Sequence, residues 1–319
     1  MHRIFQPMLF QGVRKKKNYF EGWYYKLISE DRKSVIALII GMSLGKDGEN
    51  HAFIQFFDAL SGRTEYLRYP LSDFRFENNR FCIKICKNLF TRDGIRLNIQ
   101  SKEISIRGEL RFSDIISYPW RLTEPGIMGP FSFIPFMECY HGIVNIHHKI
   151  SGSLIIDGKR YEMNGGYGYI EKDWGRSFPE SWIWTQSNHF ANHDASFMFS
   201  VAKIPFFITN FTGFLCFLRI GKNFYRFATY SNAKIVYMRK KAETLEVLIK
   251  DGKYFLKFRA VNHRTGTLLA PLNGNMHREI EESISATVHV SLWDKKGNIL
   301  FRGIGKQAGL EIVGYDFNL

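Results

Sequence analysis

Three tryptophans (Trp174, Trp182, Trp184), three acids (Glu171, Asp173, Glu180), a histidine (His189) and two amides (Gln186, Asn188) fall within the twenty-six residues from Gly165 to Phe190, GGYGYIEKDWGRSFPESWIWTQSNHF. A strand that only fills a core has no use for that mixture. A carboxyl group pressed against indole rings loses hydration, so its pKa rises and it can donate a proton at neutral pH. An indole face can steady a nearby cation. If residues 180–190 are extended, alternation puts Glu180, Trp182, Trp184, Gln186 and Asn188 on one face, and Ser181, Ile183, Thr185, Ser187 and His189 on the other. The first set makes an apolar wall with a few fixed polar groups, the usual composition of a small-molecule site. Glu171, Asp173 and Trp174 are expected in a glycine-rich connection that brings carboxylates to the same cavity. The plainer alternative puts the tryptophans in a core and pairs the acids with the chain's many Lys and Arg residues.

The elements that must position these residues read as strands. Tyr19 to Lys26 alternates Glu21, Trp23 and Tyr25 on one face with Gly22, Tyr24 and Lys26 on the other. Further strands are expected at 34–42, 51–58, 80–87, 95–100, 104–112, 137–148 and 152–163, the last bent by an Asp157-Gly158 hairpin turn. Later ones fall at 196–204, 213–220, 225–230, 245–250, 254–261, 283–294 and 299–305. Residues up to Lys17 form an arm, Ser117 to Pro135 a long loop rich in proline and glycine, and Leu269 to Glu282 contains one short helical piece. Glu21-Gly22-Trp23-Tyr24-Tyr25 and Glu180-Ser181-Trp182-Ile183-Trp184 share the pattern E-x-W-x-aromatic, each ahead of a series of strands. That echo suggests a duplicated barrel joined near residues 176–179. The expected architecture is all-β, antiparallel, with few short helices and two domains, 1–178 and 179–319.

The chain has 319 residues, of which 45% are hydrophobic and 16% aromatic, so a packed protein is expected rather than a disordered one. Its 44 Lys and Arg against 30 Asp and Glu leave a formal charge of +14, which suits anionic partners. A nucleic-acid reading lacks a zinc-finger spacing, a helix-turn-helix or an RNA-binding aromatic signature, and is set aside. Weak docking to an anionic membrane surface is retained. The four cysteines, Cys82, Cys86, Cys139 and Cys216, show no CxxC pair and read as free thiols. No metal site is expected from His141, His147 and His148: His147 and His148 are adjacent and point to opposite strand faces, and no further ligand is placed. No leader pattern opens the chain and its longest apolar run is far too short to cross a bilayer, so a cytoplasmic protein, peripheral to membranes at most, is expected.

Three segments, EGWYYK at 21–26, MECYHG at 137–142 and the long stretch at 165–190, resemble the tocopherol cyclase family, bacterial members included. The resemblance spans most of the chain, although the sharp motifs occupy its first two thirds and residues 283–319 match none. It implies two lipocalin-like β-barrels in tandem and cyclisation of a prenylated hydroquinone to a chromanol, without cofactor or metal. On that resemblance the proton donor is Asp173 or Glu171, with Glu180 and Glu21 as competitors. Trp23, Tyr25, Trp174, Trp182 and Trp184 would line the substrate site. Tyr140, His141, Gln186, Asn188 and His189 would orient the ring hydroxyls. The alternatives kept open are a related hydratase or isomerase acting on a prenyl chain, and a lipocalin-like carrier that binds an apolar ligand without altering it.

Overall fold

Alternating burial along long strands organises the chain, as in β9, where Ile106, Leu110 and Phe112 turn inward between exposed Arg107, Glu109 and Arg111. The computed structural model describes residues 3–191, 193–206, 209–315 and 317. Twelve strands form the first sheet: β1 Tyr19–Ile28, β2 Val35–Leu44, β3 Asn50–Asp58, β4 Arg63–Pro70, β5 Phe74–Phe76, β6 Cys82–Ile85, β7 Asn88–Thr91, β8 Gly94–Gln100, β9 Ser105–Ile116, β10 Cys139–Ile156, β11 Lys159–Glu162 and β12 Tyr167–Gly175. Ten form the second: β13 Trp182–Ser187, β14 Ala195–Phe206, β15 Thr209–Ile220, β16 Asn223–Ala228, β17 Lys234–Lys241, β18 Thr244–Lys250, β19 Tyr254–Val261, β20 Gly266–Leu272, β21 Asn275–Asp294 and β22 Ile299–Val313.

The first sheet runs in the order β4-β3-β2-β1-β12-β10-β9-β8-β7-β6-β5, with β11 beside β10, and curls into a nearly closed lipocalin-like barrel. The second runs β16-β15-β14-β13-β22-β21-β19-β18-β17, with β20 beside β21. The E-x-W-x-aromatic echo falls on matching strands. In each sheet the strand carrying it pairs with its successor and with the last long strand, β1 with β2 and β12, β13 with β14 and β22. The chain divides into two compact units, Met1–Phe178 with Leu268–Glu279, and Pro179–Thr267 with Ile280–Leu319. Residues 268–279 thus pack in the first unit and not with the segments around them in sequence.

The helical piece expected within 269–282 is instead the β20–β21 hairpin. Asn273 and Gly274 both take positive φ, 51° and 81°, the turn that joins two antiparallel strands. The hairpin is held inside the first unit by Gln55, whose Nε2 donates to Leu269 O and whose Oε1 accepts from Leu269 N. Strands β4 and β17 were not expected. Both end their sheets; β4 is half-buried over most of its length and buries only Leu67, and β17 buries only Met238.

The interior of the first barrel holds an ion pair. Glu21 on β1 and Lys172 on β12 are fully buried, with Nζ 2.5 Å from Oε1. The N-terminal arm packs over them. Glu21 accepts from the backbone N–H of Gln11 and of Gly12 and from the Tyr19 hydroxyl, while Lys172 donates to Pro7 O and Leu9 O. Leu9 and Phe10 join the core, and Trp23 Nε1 donates to Met8 O. The indoles of Trp23 and Trp174 each lie 4.7 Å from the ammonium. Desolvation lowers the Lys172 pKa to about 8, with Glu21 pulling the other way.

Two expectations follow for stability. Removing one charge from a buried pair strands the other. Lys172→Met should therefore cost about 3–5 kcal/mol in chemical denaturation, and adding Glu21→Gln should return part of it. Burial, helped by Arg68, lowers the His51 pKa to about 4. The unfolded chain then takes up that proton first as the pH falls, so this contribution to stability is complete above about 6.5 and is lost on the way down to 4. Denaturation of His51→Gln across that window should show a shallower loss than the unsubstituted protein, and an unchanged slope would remove His51 from the acid response.

Candidate functional site

Strand β12 separates two sets of side chains by alternation. Ile170, Lys172 and Trp174 turn to the core, and Tyr169, Glu171 and Asp173 to the other side. The acids expected in a glycine-rich connection are therefore on a strand, and the correction matters because a strand fixes their direction. On neighbouring β10, His141 stands opposite Asp173 and Ile143 opposite Glu171.

These residues converge. His141 Nδ1 lies 2.9 Å from Asp173 Oδ1, and its Nε2 lies 3.7 Å from Glu171 Oε2. Tyr169 donates its hydroxyl proton to Glu171 Oε2 at 2.6 Å. Burial first, and then the adjacent Glu171, push the Tyr169 hydroxyl well above the phenol range, so it stays a donor. Cys139 Sγ is 3.9 Å from Asp173 Oδ1, and burial, followed by Asp173, holds the thiol protonated. An imidazole whose two nitrogens face two carboxylates can take a proton from one and hold it toward the other. Ligand atoms of His141, Glu171 and Asp173 also lie within 4.8 Å of one another, a spacing that suits a cation as well as a shared proton. His147 and His148 diverge from this group, His147 against Tyr167 and His148 against Phe112.

The remaining expected site residues of the first unit lie elsewhere. Glu21, Trp23 and Tyr25 belong to the barrel interior, where the Trp23 and Trp174 indoles already face the Lys172 ammonium. Tyr140 stacks on Trp174 at 5.4 Å, and its hydroxyl accepts from Met137 N and donates to Ile134 O.

In the second unit, Ile183 enters the core while Trp182, Trp184 and Gln186 turn to the opposite side of β13, all three buried. Trp182 Nε1 donates to Glu311 Oε2 at 2.5 Å. Glu311 on β22 stands opposite both Trp184 and the fully buried Glu282. Gly309, opposite Gln186, leaves room for the Trp184 ring, which a Cβ there would overlap. Asn188 and His189 follow the strand and bond each other, Oδ1 to Nδ1, at 3.0 Å. Glu180 precedes β13 with its side chain 78% exposed, 3.3 Å from Lys203 Nζ.

Sequence reasoning missed Tyr169, Cys139, Lys172, Glu282 and Glu311. Stepping back two residues from Glu171 would have found Tyr169. Glu282 and Glu311 meet only through pairing of β21 with β22, which no local pattern announces.

A family model described as tocopherol cyclase-like matches residues 91–314. A rice protein, Oryza sativa subsp. japonica, named "Probable tocopherol cyclase, chloroplastic", is 22% identical over 230 residues, 68% of this chain and 48% of that protein. "Tocopherol cyclase, chloroplastic" of Zea mays is 32% identical over 107 residues, 32% of this chain and 22% of that protein. The matches thus span about half the length, or less, of these curated relatives. The crystal structure of CghA has the same fold, with a TM-score of 0.56 at 10% identity over 93% of this chain and 90% of that one.

The Trp184 seat is open to measurement. Gly309→Val should displace the indole, shifting tryptophan emission and costing about 1–3 kcal/mol by overpacking. An unchanged spectrum and stability would mean the ring is not held there.

Proposed function

Because the chain belongs to the tocopherol cyclase-like family, we propose that it is an enzyme that cyclises a prenylated hydroquinone, or a related isoprenoid phenol, by protonating an alkene. The single observation that carries this reading is the imidazole of His141 standing between two carboxylates, with Asp173 at one nitrogen and Glu171 at the other. The reaction needs a strong proton donor held out of bulk water, and all three side chains are mostly shielded.

Asp173 accepts from Nδ1 and orients the ring. Nε2 then faces Glu171, the group we assign as donor, with the Tyr169 hydroxyl bonded to the same carboxyl group. The proton adds to the less substituted alkene carbon and leaves a tertiary carbocation. A lone pair of the phenol oxygen closes the ring, and the phenolic proton returns to the carboxylate. Atoms balance without an added reductant or oxidant.

The carrier alternative places its ligand in a barrel lumen. In the first barrel that lumen contains Leu9, Phe10, Trp23 and the Glu21–Lys172 pair, which disfavours it. A hydratase would share the protonation step and differ only in letting water capture the cation.

Incubation with prenylated hydroquinones of several tail lengths, followed by chromatography, should yield chromanol. Glu171→Gln and Asp173→Asn should each lower turnover at least about a hundredfold, the usual scale of general acid catalysis, with folding retained. Tight binding without turnover would favour the carrier, an alcohol product would favour the hydratase, and full activity in both variants would remove these acids from the mechanism.

A further inference from the structure

Large apolar side chains gather on the surface at one end of the first barrel. Phe20 at the start of β1 lies opposite Gly175 at the end of β12, and Gly175 opposite Cys139 at the start of β10. Register therefore brings the segment before β1 and the loop before β10 to the same end. The loop, residues 117–138, exposes Trp120, Leu122, Phe133 and Phe136, with Leu122 at 75% and Phe136 at 93%. The arm supports it: Phe5 packs edge-on against Trp120 at 6.4 Å and Phe133 at 6.1 Å. The segment before β1 carries exposed Val13 and then the exposed run Arg14-Lys15-Lys16-Lys17, and Arg121 is exposed within the loop. The acids of the β2–β3 turn at this end already have partners, Asp47 with Asn275 and Glu49 with Arg68.

Folding gives no reason to leave a phenylalanine, a leucine and a tryptophan in water on one loop. Contiguous exposed apolar groups mark an interaction surface. Aromatic side chains beside Lys and Arg have the composition of a face that sits at a lipid headgroup boundary, where rings enter the acyl edge and cations meet anionic headgroups. The excess of basic charge at this end complements such a surface.

We propose that the 117–138 loop and the basic run at 14–17 form a docking face for an anionic lipid bilayer. Trp120, Leu122, Phe133 and Phe136 insert at the headgroup level, and Arg14 to Lys17 with Arg121 contact the phosphates. The inference rests on the surface alone and stands whether or not the protein turns over a prenylated quinol.

The test uses the full chain with vesicles of phosphatidylglycerol and phosphatidylcholine. The protein should co-sediment at low salt, bind pure phosphatidylcholine far more weakly, and lose binding as salt shortens the Debye length to about 8 Å at physiological ionic strength. Leu122→Asp with Phe136→Asp, and separately Lys15→Glu with Lys16→Glu, should each reduce partitioning at least tenfold while circular dichroism and the denaturation midpoint stay unchanged. If the aspartate variant binds as well as the unsubstituted protein, or the unsubstituted protein fails to sediment, the proposal is wrong. It is equally wrong if the aspartates abolish self-association and leave vesicle binding intact, because the patch is then an interface between two copies.

Discussion

A lysine buried inside a barrel constrains everything around it. Lys172 has no exposure to solvent, and Glu21, two indole faces and two carbonyl oxygens of the arm surround its ammonium. A strand sends successive side chains to opposite faces. Once Lys172 points inward, Glu171 and Asp173 must point outward, where β10 presents His141 between them. A one-residue slip of β12 would turn Glu171 and Asp173 into the core beside buried Glu21, and put the ammonium on the side of His141. Desolvation makes that arrangement costly, so the interior pair also protects the register on which the site depends.

The same pair ties down the N-terminal arm. Its residues 7–12 have no sheet of their own, and their backbone groups find partners on Glu21, Lys172 and Trp23. An arm held in this way adds Leu9 and Phe10 to the first core, while Glu171 and Asp173 lie on the other face of β12. The two tryptophan-bearing strands differ in orientation. In β1 the E-x-W-x-aromatic residues turn inward and become structural, whereas in β13 Trp182 and Trp184 turn away from the core.

Much of this was legible from residue order. The apolar run of β2, the alternation of β9 and β19, and the turn at Asp157-Gly158 announce strands. The stretch at 165–190 names the acids and indoles. Grouping was harder. His141 lies thirty-two positions from Asp173 and meets it only because β10 and β12 pair, and the bulges between Ile143 and His148 obscure that register. Lys172 between two acids reads as a solvated cation until its burial is known. The segment 269–282 is only weakly patterned, so its sequence does not separate a short helical piece from the two strands that meet there. Its Asn273-Gly274 turn was the decisive signal.

In the proposed reaction a protein-held acid protonates the alkene and the phenol oxygen captures the resulting cation. The most direct measurement is the cyclisation run in deuterium oxide, with the product's hydrogens assigned by NMR. One non-exchangeable deuterium is predicted on the ring methylene next to the new carbon–oxygen centre, delivered to a single face, and lost along with product in Glu171→Gln. Chromanol that carries no deuterium there, or carries it equally on both faces, would contradict the account.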